Sequence, residues 1–167
     1  MARSSDSIAE PWRNRIVGYS DEPPDQLLAS PFNWRIHPTA QQDALLGVLR
    51  EAGIVQNILV NRITGNLIDG HLRVTLALRE GQPTVPVTWV ELSEAEEKLV
   101  LSVLDPIATL AIADREKLDA LLRDVQPESA ALQQMLSDLA AREGIIPPNF
   151  QPMGIEQQGR LDEKAKV

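Results

Sequence analysis

The chain has 167 residues, of which 43% are hydrophobic and 24% charged, so it can bury one core, or one core plus a small helical annex, but hardly two full domains. It has no cysteine and only two, widely separated histidines, which excludes disulfides, thiolate metal sites and thiol nucleophiles and leaves a poor scaffold for a protein-bound metal. Its formal net charge is −8, and no basic patch suited to duplex DNA is evident, so we expect no tight DNA binding by this chain alone.

The acidic charge concentrates towards the carboxyl terminus. Residues 93–143 carry eleven acidic and five basic side chains, a net −6, and an acidic surface of this kind favours a protein partner. No apolar run approaches the roughly 18 residues that span a bilayer, and residues 1–6 lack the apolar stretch of a signal peptide. These features predict a cytoplasmic protein.

The amino-terminal part is expected to begin as a loose arm over residues 1–20, with a possible first strand at residues 15–19. Residues 31–38 are bounded by prolines and predict a loop. Thr39, with Gln42 three residues later, is typical of a capping box, so Thr39 should cap an amphipathic helix that ends at Gly53.

A β-hairpin is predicted for residues 58–69, because two short apolar runs flank the turn-forming residues 64–66. Its second strand should end at Gly70. Residues 71–80 then form an apolar helix, expected to be buried, and residues 85–90 supply another strand.

The remainder is predicted to be helical from residue 93 to 144, before a disordered tail over residues 145–167. Ser93 and Glu96 form a capping box, and the Asp105-Pro106 pair should break that helix near Leu104. Asp114 should cap the next helix. An apolar stripe between residues 118 and 139 indicates either packing on the chain's own domain or an interaction surface.

The segment with the clearest chemistry is the strand-turn-helix at Asp69-Gly70-His71. The first backbone N–H groups of a helix have no internal partner and form a positive end, which favours phosphate. Gly70 permits close approach of an anion, and Arg73 could add bidentate contacts or form an ordinary surface ion pair. His71 could act as an imidazolium or as a neutral hydrogen-bonding group.

Asp69 admits several roles. It could orient Arg73, hold Mg²⁺ beside a triphosphate or act as a catalytic base, whereas its plain structural role would be to cap the following helix. Trp34 and Trp89 could stack on a base, but packing is expected for both. For His37 we expect a hydrogen bond to the backbone of its own loop.

Residues 54–60, 67–73 and 85–87 resemble the ParB/sulfiredoxin superfamily in order and spacing, over about residues 21–92. This resemblance implies an α+β fold with a small mixed sheet and packed helices, followed here by the helical extension. It also implies a nucleoside triphosphate ligand, CTP or ATP, with Mg²⁺. The positions that match the superfamily's nucleotide contacts are Gly70, His71, Arg73, Gln56, Asn33 and Arg35.

Departures from the superfamily's members narrow the choice. His71 stands where sulfiredoxins have their reactive cysteine, which excludes that activity. Residues 103–108 lack the Glu-Asn-x-Gln-Arg phosphate motif of chromosome-partitioning ParB proteins. The Asp69-to-Arg73 turn matches free-serine kinases, but their catalytic glutamate finds no matching position, so a kinase stays open as a lesser option.

The chain is most similar to short ParB-like proteins of phage and mobile elements, often called "ParB-like nuclease domain" proteins and found beside DNA methyltransferases. Metal-dependent cutting needs convergent carboxylates, and Asp69 is the only one that the sequence places in the turn. We therefore expect a nucleotide-binding accessory or regulatory protein in DNA modification, partition or mobile-element metabolism. The alternative is a small nucleotide-dependent enzyme, a kinase or phosphohydrolase and less readily a nuclease, with Asp69 as candidate catalytic residue.

Overall fold

The structure is a computed structural model, and it describes residues 9–150. The amino-terminal residues 1–8 of the predicted arm and residues 151–167 of the predicted tail lie outside the described residues. In chain order the elements are β1 (Ile16–Glu22), a 3₁₀ turn (Pro24–Gln26), α1 (Thr39–Glu51), β2 (Ile58–Asn61), β3 (Leu67–Asp69), α2 (His71–Arg79), β4 (Val85–Val90), α3 (Glu94–Thr109), α4 (Arg115–Asp124) and α5 (Ala130–Arg142).

The four strands form one mixed sheet in the order β1-β4-β2-β3. β2 and β3 pair antiparallel, as the predicted hairpin requires, and β2 pairs parallel with β4. α2 provides the crossover between β3 and β4. The α+β fold predicted from the sequence, with a small mixed sheet followed by helices, is confirmed. β1 is longer than the predicted strand at 15–19 and pairs antiparallel with β4.

The core lies between the sheet and α2. Alternate residues of the strands and one side of the helix meet there, and the buried members of this cluster are Ile58, Val60, Leu67, Val74, Ala77, Val85 and Val87. A second buried cluster joins Ile68 of β3 to Leu101 of α3. Because β3 contributes to both clusters, its carboxyl end is held firmly from two directions.

Of the three residues predicted to cap helices α1, α3 and α4, two are confirmed. Ser93 and Glu96 form the predicted capping box, and the Asp114 side chain accepts a hydrogen bond from the Lys117 N–H. The prediction that Thr39 caps α1 is wrong: Pro38 occupies the N-cap position and Thr39 is already helical. Gln42 instead donates its side-chain amide to the His37 carbonyl.

The prediction that Asp105-Pro106 breaks the helix near Leu104 is also wrong, since α3 continues through Pro106 to Thr109. Pro106 removes one helical hydrogen bond, but tertiary contacts hold the turn of the helix that precedes it. Leu101 is buried against the sheet, and the Asp105 carboxylate is held by Arg35.

The carboxyl-terminal helix α5 packs on α1. A Cβ atom at Gly47 would lie 2.6 Å from the Ser129 hydroxyl oxygen, so glycine allows the close approach. Leu132 is buried at this contact and Leu122 of α4 is buried as well, so much of the apolar stripe at 118–139 packs on the chain itself. The boundary predicted between 92 and 93 stays a prediction.

Within residues 9–150 no helix is both long and apolar enough to cross a membrane.

Candidate functional site

A cleft of about 500 Å³ opens where the carboxyl end of β3 meets the start of α2. Four parts of the chain line it: the loop before α1, α1 itself, the β3-α2 turn and α3. Its lining residues are Trp34, Arg35, Ile36, His37, Gln41, Leu45, Asp69, Gly70, His71, Leu72, Arg73 and Asp105. The volume falls within the usual range for small-molecule sites.

Gly70 makes the turn that opens this cleft. Its φ is +98°, in the left-handed region that favours glycine, and a Cβ there would lie 2.7 Å from the Ile58 Cδ1 atom. Gly70 is also the N-cap of α2, and no side chain caps the helix. The capping role considered for Asp69 is therefore wrong, and the positive end of α2 stays open to an anion.

Asp69 instead orients Arg73, as one of the predicted alternatives proposed. The Arg73 Nη2 atom donates to Asp69 Oδ2 at 3.1 Å, and Nη1 donates to Gln56 Oε1 at 2.8 Å. The Arg73 side chain is only 13% exposed, and its buried Nε has no hydrogen-bond partner. Hydrogen bonds to Asp69, Gln56 and the Asn57 carbonyl fix this guanidinium in place.

Arg35 approaches the same carboxylate from the opposite side. Its Nη1 donates to Asp105 Oδ2 at 2.9 Å and to Asp69 Oδ1 at 3.4 Å, and its Nη2 donates to the Ile68 carbonyl at 3.1 Å. The buried Arg35 Nε likewise lacks a partner. Asp69 thus bridges two arginines, one on each side of the turn.

His71 is buried, and its Nε2 accepts a hydrogen bond from the Ser30 N–H at 3.2 Å. Burial, helped by the positive charge of Arg35 and opposed by Asp69, lowers the pKa of His71. Of the two roles predicted, the neutral hydrogen-bonding group therefore fits and the imidazolium does not. Because Nε2 accepts, we assign the ring proton to Nδ1, which is buried without a partner.

The other two predicted residues support the arginines from outside the cleft lining. Gln56 is exposed and contacts Arg73. Asn33 accepts the backbone N–H of Arg35 through its side-chain oxygen at 3.4 Å. The structure therefore brings Gly70, His71 and Arg73 together around one turn and places Gln56 and Asn33 one contact further away.

Asp105 is the charged residue of the cleft that sequence reasoning missed. It was not singled out, because the Asp105-Pro106 pair was expected to break the helix. Had α3 been continued through Pro106, the four-residue spacing from the buried Leu101 would have placed Asp105 on the side that faces β3. Asp69 is thus not the only carboxylate near the turn.

Of the roles expected for Trp89, Trp34 and His37, the structure agrees with the first and differs for the other two. Trp89 packs against the core, as expected. Trp34 is 55% exposed and lines the cleft, so packing does not describe it, although its Nε1 donates to the Leu101 carbonyl at 3.0 Å. The His37 side chain contacts Gln41 and not its own backbone, and it too lines the cleft.

Between residues 9 and 150, no group of three or more histidine, aspartate or glutamate residues is arranged to hold a metal ion. The Asp69 carboxylate could contact Mg²⁺ carried by a nucleotide, because Mg²⁺ is usually held by one or two carboxylates together with phosphates and water.

Comparison with known proteins gives a structural likeness only. No family model and no curated protein matches the chain. The C-terminally truncated chromosome-partitioning protein ParB from Caulobacter crescentus, solved in complex with CTP-γ-S, superposes with a TM-score of 0.55 and 19% identity, covering 90% of this chain and 88% of that one.

Two structures of a pNOB8-like ParB N-domain give TM-scores of 0.46 and 0.45 at 15% identity, covering 79% and 94% of this chain and 49% and 51% of theirs. At these sequence identities a structural likeness concerns the fold alone, and the likeness of fold rests on the Caulobacter crescentus structure. The chain has a ParB-like fold.

Proposed function

We propose that this chain binds a nucleoside triphosphate, CTP or ATP with Mg²⁺, and acts as an accessory or regulatory protein in DNA metabolism. The observation that carries the proposal is a set of three buried nitrogen donors around the uncapped start of α2 that have no hydrogen-bond partner within residues 9–150. They are His71 Nδ1, Arg35 Nε and Arg73 Nε. Buried polar groups are nearly always hydrogen-bonded, so donors left free around one cleft favour an absent acceptor.

A phosphate group is the acceptor that suits this arrangement. The open N–H groups and dipole of α2 favour an anion, Gly70 lets the anion approach the backbone, and two arginines offer charge-assisted contacts. His71 would donate from Nδ1 while Ser30 occupies its Nε2. The chain's own residues therefore bind and orient phosphate without a conventional glycine-rich loop.

The base of the nucleotide is proposed from two observations. The ParB of Caulobacter crescentus was solved with CTP-γ-S, so CTP is the first nucleotide to test, with ATP beside it. Trp34, at the mouth of the cleft, offers an exposed indole on which a base could stack.

The regulatory role needs a partner, and the segment 93–144 offers one surface for it. Large apolar side chains stand exposed there, among them Leu99, Ile107, Leu110 and Ile112. We propose that this segment contacts another protein or a second copy of the chain. The setting in DNA modification, partition or mobile-element metabolism, beside a methyltransferase, follows from the sequence resemblance alone.

One observation favours the alternative of a small nucleotide-dependent enzyme. Asp105 joins Asp69 in the cleft, so two carboxylates now converge where the sequence placed one. Asp69 Oδ1 and Asp105 Oδ2 both accept hydrogen bonds from Arg35 Nη1. This pairing suits carboxylates that position the arginine better than carboxylates that abstract a proton. Release of phosphate or nucleoside diphosphate at steady state, lost in Asp69→Asn, would favour the enzyme over the regulatory protein.

The proposal is tested by replacing Arg73. Arg73→Ala should bind CTP or ATP roughly ten- to a hundred-fold more weakly, because one charge-assisted contact is worth about 1.5–3 kcal/mol. Arg73→Lys should restore binding only in part, since lysine keeps the charge but loses the planar fork. Titration calorimetry measures the affinities, and circular dichroism checks that the fold persists.

Arg79→Ala is the matched control, because it removes the same charge from the exposed end of the same helix and should leave affinity unchanged. If the parent protein binds neither nucleotide, or if Arg73→Ala binds like the parent, the turn is only a helix start and the proposed function is wrong.

A further inference from the structure

Asp105 lines the cleft and pairs with Arg35, to which the proposed function assigns a phosphate contact. Its Oδ2 accepts from Arg35 Nη1 at 2.9 Å, closer than the 3.4 Å contact of the same nitrogen with Asp69. The Arg35 side chain is 14% exposed and that of Asp105 is 47% exposed. Asp105, the carboxylate nearest to Arg35, is therefore more exposed than Asp69, whose side chain is 27% exposed.

The charges of the cleft balance. Two guanidinium groups, of Arg35 and Arg73, face two carboxylates, of Asp69 and Asp105. Arg35 Nη1 has two hydrogens and directs both to carboxylates, while Nη2 contacts the Ile68 carbonyl. A phosphate that enters the cleft therefore meets no net charge, and the Nη1 hydrogens of Arg35 are already bonded to carboxylates. Carboxylate and phosphate oxygens compete for the same guanidinium hydrogens.

The two carboxylates differ in how firmly they are held. Asp69 ends a strand that is packed on both faces and lies between two arginines. Asp105 immediately precedes Pro106, which deprives α3 of one hydrogen bond, and beyond it Ile107 and Leu110 are exposed. Asp105 is thus the carboxylate that can leave the cleft without disturbing the core.

We propose that Asp105 is an internal competitor for the phosphates of the ligand and so sets the affinity of the cleft. This inference rests on the proposed function. It adds that Asp105, a residue of α3, weakens the binding of the nucleotide, whereas a residue that contacts phosphate would strengthen it. In the ligand-free protein Asp105 neutralises Arg35, and phosphate binding requires the carboxylate to withdraw.

The test compares Asp105→Asn with the parent in the full chain, at constant ionic strength. Titration calorimetry with Mg²⁺ and either CTP or inorganic tripolyphosphate should show about ten-fold tighter binding by the variant. The gain should appear with both ligands, because it concerns phosphate and not the base. Asp124→Asn, which removes the same charge at the exposed end of α4, should bind like the parent.

A second measurement uses the parent protein alone, so it does not depend on how a variant folds. If Asp105 withdraws, amides of residues 103–109 should exchange with deuterium several-fold faster when tripolyphosphate or CTP is bound, although ligands usually slow exchange.

The outcomes separate the two proposals. Equal or weaker binding by Asp105→Asn, or slower exchange at residues 103–109 with ligand bound, overturns the competitor while leaving nucleotide binding intact. Absence of binding by both parent and variant overturns the proposed function itself.

Discussion

His71 joins the phosphate-binding turn to the preceding loop through a hydrogen bond that only an unprotonated nitrogen can accept. The bond runs from the Ser30 N–H to His71 Nε2, and both residues are buried. Protonation would place a hydrogen on Nε2, break this bond and add a positive charge beside Arg35. The same burial that holds the turn therefore makes it sensitive to acid.

Because the pKa of His71 is lowered on folding, the unfolded chain binds a proton more readily than the folded chain. The stability tied to His71 is complete above its unfolded pKa, near 6.5, and is lost as the pH falls from there towards the folded pKa. Urea unfolding between pH 8 and 5 should show the free energy of unfolding falling in this window.

His71→Gln should flatten that fall, whereas His37→Gln, which removes the half-buried loop histidine, should retain it. An unchanged pH profile in His71→Gln would show that the imidazole is not the titrating group.

The sequence predicted those parts of the site that are formed by residues close together in the chain. Gly70, His71 and Arg73 are neighbours in the chain, so the turn followed from a strand, a glycine and a helix. Asp69 was ambiguous because capping depends on local geometry and pairing with Arg35 depends on the fold. Asp105 was missed because the contact that matters joins residues seventy positions apart.

At the scale of elements, α3 is fastened to the β2-β3 hairpin by Glu97. This buried carboxylate accepts hydrogen bonds from Asn61 Nδ2 at 2.6 Å, Thr64 Oγ1 at 2.5 Å and Asn66 Nδ2 at 3.0 Å. Burial alone would raise the pKa of Glu97, but the three donors outweigh it and the pKa is lowered. The hairpin turn and the start of α3 thus form one unit that positions the cleft.

Glu97→Gln should lower the free energy of unfolding by about 2–3 kcal/mol, because an amide NH₂ would face donors and leave buried groups unpaired. Urea denaturation at pH 7 measures the loss. Glu94→Gln, an exposed change in the first turn of the same helix, should cost less than about 1 kcal/mol. Equal effects of the two substitutions would contradict the role assigned to Glu97.

The sequence predicted elements well where the signal was periodic and local. The hairpin, α2, β4 and the caps at Ser93 and Asp114 depend on neighbouring residues and are confirmed. The start of α1 and the end of α3 were misjudged, because Pro38 can itself occupy an N-cap position and because tertiary contacts of Leu101 and Asp105, just before Pro106, sustain a helix that propensity alone would end.

For the whole molecule, the charge distribution opposes direct contact with DNA. The net charge is −8, with most of the excess acid in residues 93–143, and the two best-placed arginines of the cleft are already neutralised by carboxylates. Few phosphates of a duplex could exchange their counterions for such a surface.

The isolated protein should therefore not shift a DNA duplex in a gel at physiological salt. A titration from low to high salt serves as the control, since any residual binding should vanish steeply as salt rises. Submicromolar binding that resists salt would show a basic surface that the charge pattern does not predict.

β1 cannot enter the sheet until β4 exists. Its register joins Glu22 to Val85 and Ile16 to Val90, whereas β2 and β3 form a local hairpin that can close within microseconds. At about 5–20 residues per second on the ribosome, the first strand synthesised waits roughly 3–12 s for its partner. We expect β1 to be the last of the four strands to dock during biosynthesis. The Arg15–Glu96 ion pair, which lowers the pKa of Glu96 to about 2, would then form as β1 docks and would join the residue before that strand to the start of α3.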